Sequence, residues 1–248
     1  MKYFGCGRIN IDNRKTKTKK FVVTSQTDLI NIILPHFNKF SLQTSKQLNY
    51  LDFSKAVELV NSKTTSSIIE QVKLLKNNMN KARSFEDKFN FCNSSNIILQ
   101  PNWVQGFIDG EGSFQCDITE GKSNGNTYTT ISPSLQIKQN NHDVAVLAAI
   151  KAFFGKGYLK PKYNTTSLEE VLKLSRTTTI LWIRQSDIVI NFIDNYPLFT
   201  TKRLDYFDWK EIISLKDSKA YTTEEGLNKI KQLKLGMNSG RAQHKQNE

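Results

Sequence analysis

Cysteine and histidine are both scarce in this chain. Its 248 residues contain three cysteines, Cys6, Cys92 and Cys116, and three histidines, His36, His142 and His244. The cysteines are too few and too widely spaced for a disulfide framework, and no histidine stands at zinc-ligand spacing from them. We therefore expect ordinary buried thiols in a protein of a reducing compartment.

Long apolar runs are also missing. The longest strongly apolar run, Leu29–Leu34, is interrupted by Asn31 and is much shorter than the roughly 20 residues of a membrane-spanning helix. The N-terminus has neither the apolar core of a signal peptide nor an amphipathic helix rich in Arg and Ser. These features predict no membrane association, and we expect a protein that works in an organelle to be encoded there.

Acidic residues are outnumbered by basic ones. Lys and Arg total 35 against 23 Asp and Glu, which gives a net charge of +12. The segment Arg8–Lys20 concentrates this excess, because Asp12 is its single acid. Such a surplus in a two-domain chain favours a polyanionic partner, most often nucleic acid, although a basic protein without such a ligand is the alternative.

Two stretches of the chain repeat each other, residues 3–83 and residues 153–241. The matching segments are Tyr3–Ile9 with Phe153–Leu159, Leu42–Lys46 with Leu198–Lys202, and Tyr50–Phe53 with Tyr206–Trp209. Two copies of one supersecondary unit indicate a pseudo-twofold pair of domains, because solenoids need several short repeats. Residues 101–152 precede the second copy and have no counterpart ahead of the first, so we expect the first domain to be incomplete.

The second copy and its leading segment have a regular pattern. Helical spacing over Trp103–Gly110, with Asn102 as N-cap, is followed by alternation of apolar and polar residues from Phe114 to Gln139, which predicts two strands. The further predicted elements are a helix over Asp143–Phe154, strands over Tyr158–Tyr163 and Leu172–Arg184, and helices over Asp187–Tyr196 and Leu204–Leu215. This order indicates an α+β unit with a four-stranded antiparallel sheet.

Two capping boxes predict the starts of the last helix in each copy. They are Ser67-x-x-Glu70 and Thr222-x-x-Glu225. We predict an irregular polar linker over residues 84–100. The expected domains are therefore residues 1–83 and 101–241, followed by a polar tail at 242–248.

The segment Val104–Gly112 reads VQGFIDGEG and occurs once. Gly106 and Gly110 lie one helical turn apart, where their missing Cβ atoms permit close helix packing; glycine inside a helix otherwise costs about 0.5–1 kcal/mol. Asp109 and Glu111 fall at the negative end of the helix dipole, where an acid costs roughly 0.3–1 kcal/mol. A divalent cation bound there would make the two acids stabilising instead of destabilising. The alternative is a solvated helix end with incidental acids.

This segment resembles the signature motif of the LAGLIDADG homing endonucleases, in the two-motif, single-chain form typical of mitochondrial intron reading frames. The resemblance extends over nearly the whole chain, including residues 28–37 and 231–241. It implies an α+β fold, a pseudo-twofold pair of αββαββα half-domains with antiparallel saddle-shaped sheets, the first half-domain being incomplete here. It also implies a mitochondrial, organelle-encoded protein and a monomer, with a dimer through the motif helix as the alternative.

The resemblance implies site-specific cleavage of double-stranded DNA by metal-dependent phosphodiester hydrolysis. Glu111 matches the family's metal-binding acid, which would bind Mg²⁺ and help place the attacking water. Gln139 matches the polar residue that orders active-site water. Arg184 falls where the family has a basic residue, which would stabilise developing phosphate charge. A plain strand-end residue and a solvated cation are the respective alternatives.

The outer face of the sheet is expected to contact DNA. The residues assigned to bases and phosphates are Gln115, Asp117, Ser134, Gln136, Lys138, Tyr158, Lys160 and Lys162. Glutamine, arginine and lysine can read purine edges in the major groove, while the remaining lysines would mainly touch phosphates. Any half-exposed antiparallel sheet shows the same alternation of residues.

The first copy departs from the family pattern. It has no motif helix, so the partner acid for Glu111 is absent, and its equivalent of Arg184 falls near Ser25, which is not basic. We expect the C-terminal portion of a longer reading frame or a decayed gene, and pairing of two chains through their motif helices is the third account. An intron RNA maturase, with intron RNA as partner, and a non-catalytic nucleic-acid-binding remnant are the functional alternatives.

Overall fold

The protein is described from a computed structural model. The described residues are 3–15, 18–62, 65–123, 125–238 and 241. The chain divides into two compact units, Met1–Ser95 (unit 1) and Asn96–Glu248 (unit 2). The predicted tail at 242–248 lies outside the described residues.

Unit 1 contains an antiparallel hairpin followed by helices. Strands β1 (Arg8–Asn13) and β2 (Thr18–Val22) pair with each other in antiparallel register. The helices are α1 (Gln26–Asp28), which continues through a π-helical turn (Leu29–Ile33) into α2 (Leu34–Lys39), then α3 (Lys46–Ser62), α4 (Ser66–Asn78), a 3₁₀ turn (Asn80–Ala82) and α5 (Phe85–Ser94).

Unit 2 contains a four-stranded sheet and its covering helices. The strands are β3 (Gly112–Ser123), β4 (Asn126–Asn140), β5 (Tyr158–Lys160) and β6 (Thr178–Ile183). The helices are α6 (Pro101–Glu111), α7 (Val144–Phe154), α8 (Leu168–Leu172), α9 (Ser186–Asn195), α10 (Lys202–Asp217) and α11 (Glu224–Gly236), with 3₁₀ turns at Asn141–Asp143 and Ala220–Thr222.

The sheet of unit 2 has the strand order β3-β4-β6-β5, and every neighbouring pair is antiparallel. One face carries the core, because alternate residues of β3, β4 and β6 are fully buried: Phe114, Leu135, Ile137, Leu181 and Ile183. Val104 and Ile108 of α6 and Trp209 of α10 belong to the same apolar cluster. The predicted α+β class with an antiparallel four-stranded sheet is confirmed.

The internal repeat of the sequence is also present in the structure. In unit 1 the Tyr50 hydroxyl donates to the Leu34 carbonyl at 3.0 Å and to Asn38 at 2.6 Å. In unit 2 the matching hydroxyl of Tyr206 donates to the Ile190 carbonyl at 3.4 Å and to Asp194 at 2.7 Å. The same side-chain contact therefore joins equivalent helices in the two units, α2 with α3 in unit 1 and α9 with α10 in unit 2.

A second repeated contact closes each copy. Arg83 pairs with Asp52 in unit 1, and Arg241 pairs with Asp208 and, at 2.8 Å, with Asp205 in unit 2. Just before each arginine an asparagine takes a positive φ, 61° at Asn80 and 55° at Asn238. Asparagine tolerates this left-handed conformation better than most residues. The two copies, residues 3–83 and 153–241, thus end in matched structures.

Helix α6 begins earlier than the sequence predicted. Its N-cap is Gln100, so the prediction that Asn102 caps the helix is wrong. Pro101 is the first helical residue, where its fixed φ suits the helix and its missing N–H costs nothing. The Gln100 carbonyl accepts hydrogen bonds from Trp103 at 2.9 Å and Val104 at 3.0 Å.

The segment predicted as an irregular linker over 84–100 contains helix α5. Ser84 caps this helix by accepting a hydrogen bond from the Asp87 amide at 3.0 Å. Phe89 and Cys92 are both buried, so the helix is fixed by packing as well as by its cap. The mean polarity of the segment concealed these two apolar positions, which lie nearly one turn apart.

The predicted caps and two strand bounds also differ from the structure. The last helices are capped by Thr65 and Thr223, not by Ser67 and Thr222. The strand predicted over Tyr158–Tyr163 ends at Lys160, because Pro161 has no N–H for a ladder hydrogen bond. The first part of the strand predicted over Leu172–Arg184 lies in α8 and the loop that follows, since Ser167 caps that helix.

The cysteines agree in part with the expectation of buried thiols. No disulfide joins the three cysteines; Cys92 and Cys116 are buried, and Cys6 is half-buried. Burial raises the pKa of Cys116 to about 11. No helix among the described residues has both the length and the apolar character that crossing a membrane requires.

Trp209 is the side chain on which we expect the core of unit 2 to depend most. It is fully buried, packs against Phe114, and donates from Nε1 to the Gln115 carbonyl at 3.0 Å. Replacement Trp209→Ala is expected to lower the free energy of unfolding by about 3–5 kcal/mol, because it leaves a cavity and an unpaired carbonyl. Denaturant unfolding followed by circular dichroism measures this loss.

The matched control is Phe207→Ala on the same helix. Phe207 is 46% exposed, so its removal should cost less than about 1 kcal/mol. Equal losses for the two variants would contradict the position of Trp209 in the core.

Candidate active site

Helix α6 runs directly into strand β3 at Gly112. A Cβ atom at this position would lie 2.6 Å from the Ile108 carbonyl oxygen and 2.9 Å from its side chain. Only glycine therefore permits the chain to turn from helix to strand without a loop. The turn fixes Glu111, the last helical residue, at the edge of the sheet.

Asp109 joins the end of α6 to the start of α10. Its carboxylate accepts hydrogen bonds from the Phe199 amide at 2.8 Å, from the Thr200 amide at 3.1 Å, and from the Thr200 hydroxyl. Both carboxylate oxygens are thus used in positioning the segment that leads into α10. We assign Asp109 a positioning role on these contacts.

Glu111 has a different environment. Its side chain is exposed at the C-terminal end of α6 and makes no hydrogen bond or ion pair with another described residue. It lies at the negative end of the helix dipole, where a carboxylate is unfavourable unless a cation is near. Of the two acids in the segment, Glu111 is the one whose oxygens are free to bind a ligand.

Lys202 brings a positive charge to the same helix end. Its ammonium donates to the Gly112 carbonyl and, at 3.4 Å, to the Gly110 carbonyl. Burial lowers the pKa of Lys202, while the negative charges of Asp109, Asp205 and Glu111 act in the opposite direction. Lys202 thus caps α6 from outside the helix and lies within electrostatic reach of Glu111.

Gln139 lies at the same end of the sheet as the end of α6. Strand β3 begins at Gly112, which is in register with Ile137, so Gln139 extends two residues beyond the start of β3. Its partner on β6 is Thr179. The structure therefore brings the end of β4 to the end of the sheet that α6 enters. The role of Gln139 in ordering water remains a prediction.

Arg184 is not at that end of the sheet. Leu181 is in register with Ile137 and so with Gly112, and Arg184 follows three residues farther on, away from Gln139. At about 3.3 Å per residue, this displacement is roughly 10 Å along the strand. The guanidinium instead lies over the rings of Tyr158 and Trp182. The predicted catalytic role of Arg184 remains a prediction that these contacts do not support.

The start of β3 is fixed by the C-terminal turn of unit 2. The Asn238 amide side chain donates to the Phe114 carbonyl at 2.8 Å and accepts from the Ser113 hydroxyl at 3.1 Å. Its backbone N–H donates to Asp205 at 3.1 Å. Asn238 thus connects the strand that follows Glu111 with the helix that carries Lys202.

Most of the side chains predicted to contact DNA share the outer face of the sheet. The cross-strand rows are Gln115 with Ser134, Asp117 with Ser132, Gln136 with Trp182 and Tyr158, and Lys138 with Ile180 and Lys160. These rows alternate with the buried rows of the core face. The structure therefore brings together on one surface the side chains of β3, β4 and β5 that the sequence assigned to it.

Two predicted contacts have other surroundings. Ser134 is only 1% exposed and accepts a hydrogen bond from the Gln136 amide at 3.3 Å, so it supports Gln136 rather than presenting its own hydroxyl. Lys162 lies beyond the end of β5, outside the paired strands. Their contacts with DNA remain predictions.

Gly106 and Gly110 form an open stripe on α6. A Cβ atom at either position would meet no heavy atom within 4 Å. These distances do not test the helix-packing role predicted for the two glycines. It remains a prediction.

Sequence reasoning missed Lys202 and Trp182. Lys202 is matched by Lys46 in the internal repeat, so the repeat held the signal for it. Trp182 continues the alternation of outer-face residues in β6, and it could have been found by extending that alternation across the whole sheet. Among the described residues, no cluster of three or more His, Cys, Asp or Glu side chains could hold a metal ion.

The chain is similar to a known endonuclease family and to proteins encoded by fungi. The model of the LAGLIDADG endonuclease family matches residues 1–57 and 104–213. Probable intron-encoded endonuclease 3 of Neurospora crassa is 27% identical, over 91% of this chain and 43% of that protein. An uncharacterized 50.9 kDa protein in ND4 intron 1 of Podospora anserina is 28% identical, over 51% of this chain and 26% of that protein. The chain thus spans less than half the length of these relatives.

Solved structures give the same assignment. The I-SmaMI LAGLIDADG homing endonuclease bound to cleaved DNA matches with a TM-score of 0.79 and 29% identity, over 97% of this chain and 81% of that one. The structure of I-SmaMI bound to an uncleaved DNA target in the presence of calcium ions matches with a TM-score of 0.78 and 29% identity, over 96% and 81% of the two chains.

The two acids of α6 are expected to respond differently to substitution. Asp109→Ala should lower the free energy of unfolding by about 1–3 kcal/mol, because it leaves two amides and a hydroxyl without their partner. Glu111→Ala should leave it unchanged or raise it by roughly 0.3–1 kcal/mol, since an acid is removed from the negative end of a helix. Urea unfolding of both variants measures the difference. A larger loss for Glu111→Ala would contradict the separation of positioning and ligand-binding acids.

Proposed function

Since this chain belongs to the LAGLIDADG endonuclease family, we propose that it takes part in site-specific hydrolysis of double-stranded DNA. The observation that carries the proposal is the exposed carboxylate of Glu111 at the end of α6, with Lys202 at the same helix end. Two opposite charges therefore lie near each other at the end of α6 that enters the sheet. This is the arrangement expected where a phosphate group is bound and its hydrolysis is assisted.

A divalent cation is compatible with the residues at this helix end. The free oxygens of Glu111 are hard donors, and the end of α6 already attracts the ammonium of Lys202 to its carbonyls. Mg²⁺ is commonly held by one or two carboxylates together with water and substrate phosphates. A single protein carboxylate therefore fits a site that is completed when DNA binds, and we propose Mg²⁺ as the cofactor.

A bound divalent cation would act as a Lewis acid and make coordinated water a better nucleophile. Glu111 would hold the cation at the edge of the sheet. Gln139, at the same end, would orient the attacking water through its side-chain amide. The Lys202 ammonium, already fixed by two carbonyls, would stabilise the negative charge that develops on the phosphate.

The outer face of the sheet supplies the surface for DNA. Gln115 is held by the Ser113 hydroxyl at 2.7 Å, and Gln136 is held by Ser134. Amide side chains fixed in this way can pair with adenine edges in the major groove. Lys138 and Lys160, on the neighbouring row, would neutralise phosphates.

We further propose a mitochondrial setting. One relative is encoded in an ND4 intron, and ND4 is a fungal mitochondrial gene. The intron-encoded relative from Neurospora crassa supports the same origin.

Replacement Glu111→Gln tests the metal-binding role. We expect hydrolysis of a duplex target in Mg²⁺ to fall below detection, because the amide cannot supply a carboxylate ligand, while the dissociation constant for DNA in EDTA stays within about twofold. Gel-based cleavage and fluorescence anisotropy measure the two properties. The matched control Glu224→Gln removes the same charge from an exposed site on α11 and should leave both unchanged.

Retained cleavage by Glu111→Gln would overturn the assigned role. Absence of cleavage by the unaltered chain, together with intron splicing that the chain assists and that survives Glu111→Gln, would instead indicate a maturase.

Lys202 gives an independent test through pH. Lys202→Ala should reduce the cleavage rate by about 10²–10³-fold, because a fixed cationic donor is lost. Burial lowers the Lys202 pKa, so the ammonium is lost at a lower pH than for an ordinary lysine, and the rate of the unaltered chain should decline on the alkaline side accordingly. Lys202→Arg, which stays charged there, should lack that decline. Superimposable alkaline profiles for the two proteins would contradict the role.

A further inference from the structure

Arg184 belongs to a cluster of aromatic and cationic side chains on the outer face of the sheet. Its guanidinium carbon lies 5.5 Å from the ring centroid of Tyr158 and 5.7 Å from that of Trp182. The two rings are stacked on each other, with centroids 6.2 Å apart and planes inclined by 13°. Tyr158 and Trp182 are direct cross-strand partners on β5 and β6, so the sheet itself fixes the stack.

The stack restricts the guanidinium without using its donors. A cation within about 6 Å of a ring centroid is attracted by the negative face of the ring. Arg184 is exposed and makes no ion pair or hydrogen bond with any other described residue. Its five N–H donors, which form a planar fork, therefore remain available to an external acceptor.

The position of the cluster favours DNA recognition over catalysis. Trp182 lies in the row that contains Gln136, which has been proposed above to face a base edge. Arg184 lies roughly 10 Å along the strand from the register of Gly112, where α6 ends. Its guanidinium thus lies over the surface proposed to contact DNA, away from the carboxylate of Glu111.

We propose that Arg184 is a specificity-determining residue that reads a guanine in the major groove, held ready for it by Tyr158 and Trp182. This inference rests on the proposed function, since it requires that the sheet binds duplex DNA. Guanine presents N7 and O6 as adjacent acceptors, and the arginine fork matches both at once. A phosphate would also accept from arginine, but such a contact carries no preference for a base.

The first experiment compares base preferences. The full chain and Arg184→Ala are used to select duplexes from a randomised pool, and Arg184→Lys keeps the charge without the planar fork. We expect a guanine preference at one position to be lost in both variants. The matched control Arg203→Ala removes an exposed arginine that also lies over a ring, that of Phe207 at 5.2 Å, but on α10, and should keep the preference.

The second experiment removes one acceptor atom from the DNA. The selected duplex is compared with the same duplex carrying 7-deazaguanine at the identified position, which lacks N7 and keeps base pairing. The unaltered chain should bind the modified duplex about tenfold more weakly, as expected for loss of a base-reading contact. Arg184→Ala should bind the two duplexes equally, because the paired substitutions remove the same interaction.

The third experiment tests the aromatic support. Tyr158→Leu should weaken the discrimination between guanine and 7-deazaguanine, whereas Tyr158→Phe, which keeps the ring, should preserve it. Trp182→Phe also keeps a ring and should preserve the discrimination. It breaks no hydrogen bond, because the buried Nε1 of Trp182 has no hydrogen-bond partner. Thermal unfolding of each variant verifies that the sheet is intact.

The outcomes separate this inference from the proposed function. If the unaltered chain binds no duplex, the proposed function fails and this inference fails with it. If it binds duplex but Arg184→Ala weakens all sequences equally and reduces the salt dependence by about one phosphate contact, Arg184 touches a phosphate and the inference alone is overturned. Loss of one guanine preference at an otherwise unchanged binding site is the result that supports it.

Discussion

The structure of the candidate site depends on a reciprocal clamp between the end of α6 and the start of α10. Asp109 accepts hydrogen bonds from the amides of Phe199 and Thr200, and Lys202 returns hydrogen bonds to the carbonyls of Gly110 and Gly112. Each segment thereby satisfies polar groups of the other, including the Gly110 carbonyl, which has no partner within α6. The clamp fixes the backbone on both sides of Glu111. The Glu111 carboxylate is therefore positioned without making a hydrogen bond of its own to another described residue.

The clamp also explains two charges that stand at unfavourable helix ends. Glu111 lies at the negative end of α6, and Lys202 lies in the first turn of α10, at its positive end. Each placement alone costs roughly 0.3–1 kcal/mol. Together they form a site of mixed charge beside the sheet, and local rules of helix stability are most often broken where a function requires it. The terminal turn at Asn238 then ties this site to β3, so the polar face of the sheet has a fixed relation to the carboxylate.

The sequence predicted the fold of unit 2 well because its signals are local and periodic. Alternation along β3 and β4 and helical spacing in α6 and α7 predicted the correct elements. The repeat correctly identified Tyr50 and Tyr206 as equivalent positions. The errors arose where a cap or a missing N–H decides the outcome, at Gln100, Ser167 and Pro161. In the site, Glu111 was evident from its motif, while Lys202 was not. The repeat matches Lys202 with Lys46. The proximity of Lys202 to Glu111, however, results from tertiary contacts of Asp109 with the segment before α10, which no pattern along the chain contains.

The most direct test of this account is a crystal structure of the chain with a selected DNA duplex and Mn²⁺, in which anomalous scattering locates the metal. We predict an anomalous peak within coordination distance of the Glu111 carboxylate and of a DNA phosphate, with the outer face of the sheet in the major groove. A duplex bound to another surface, or a metal bound away from Glu111, would contradict the account.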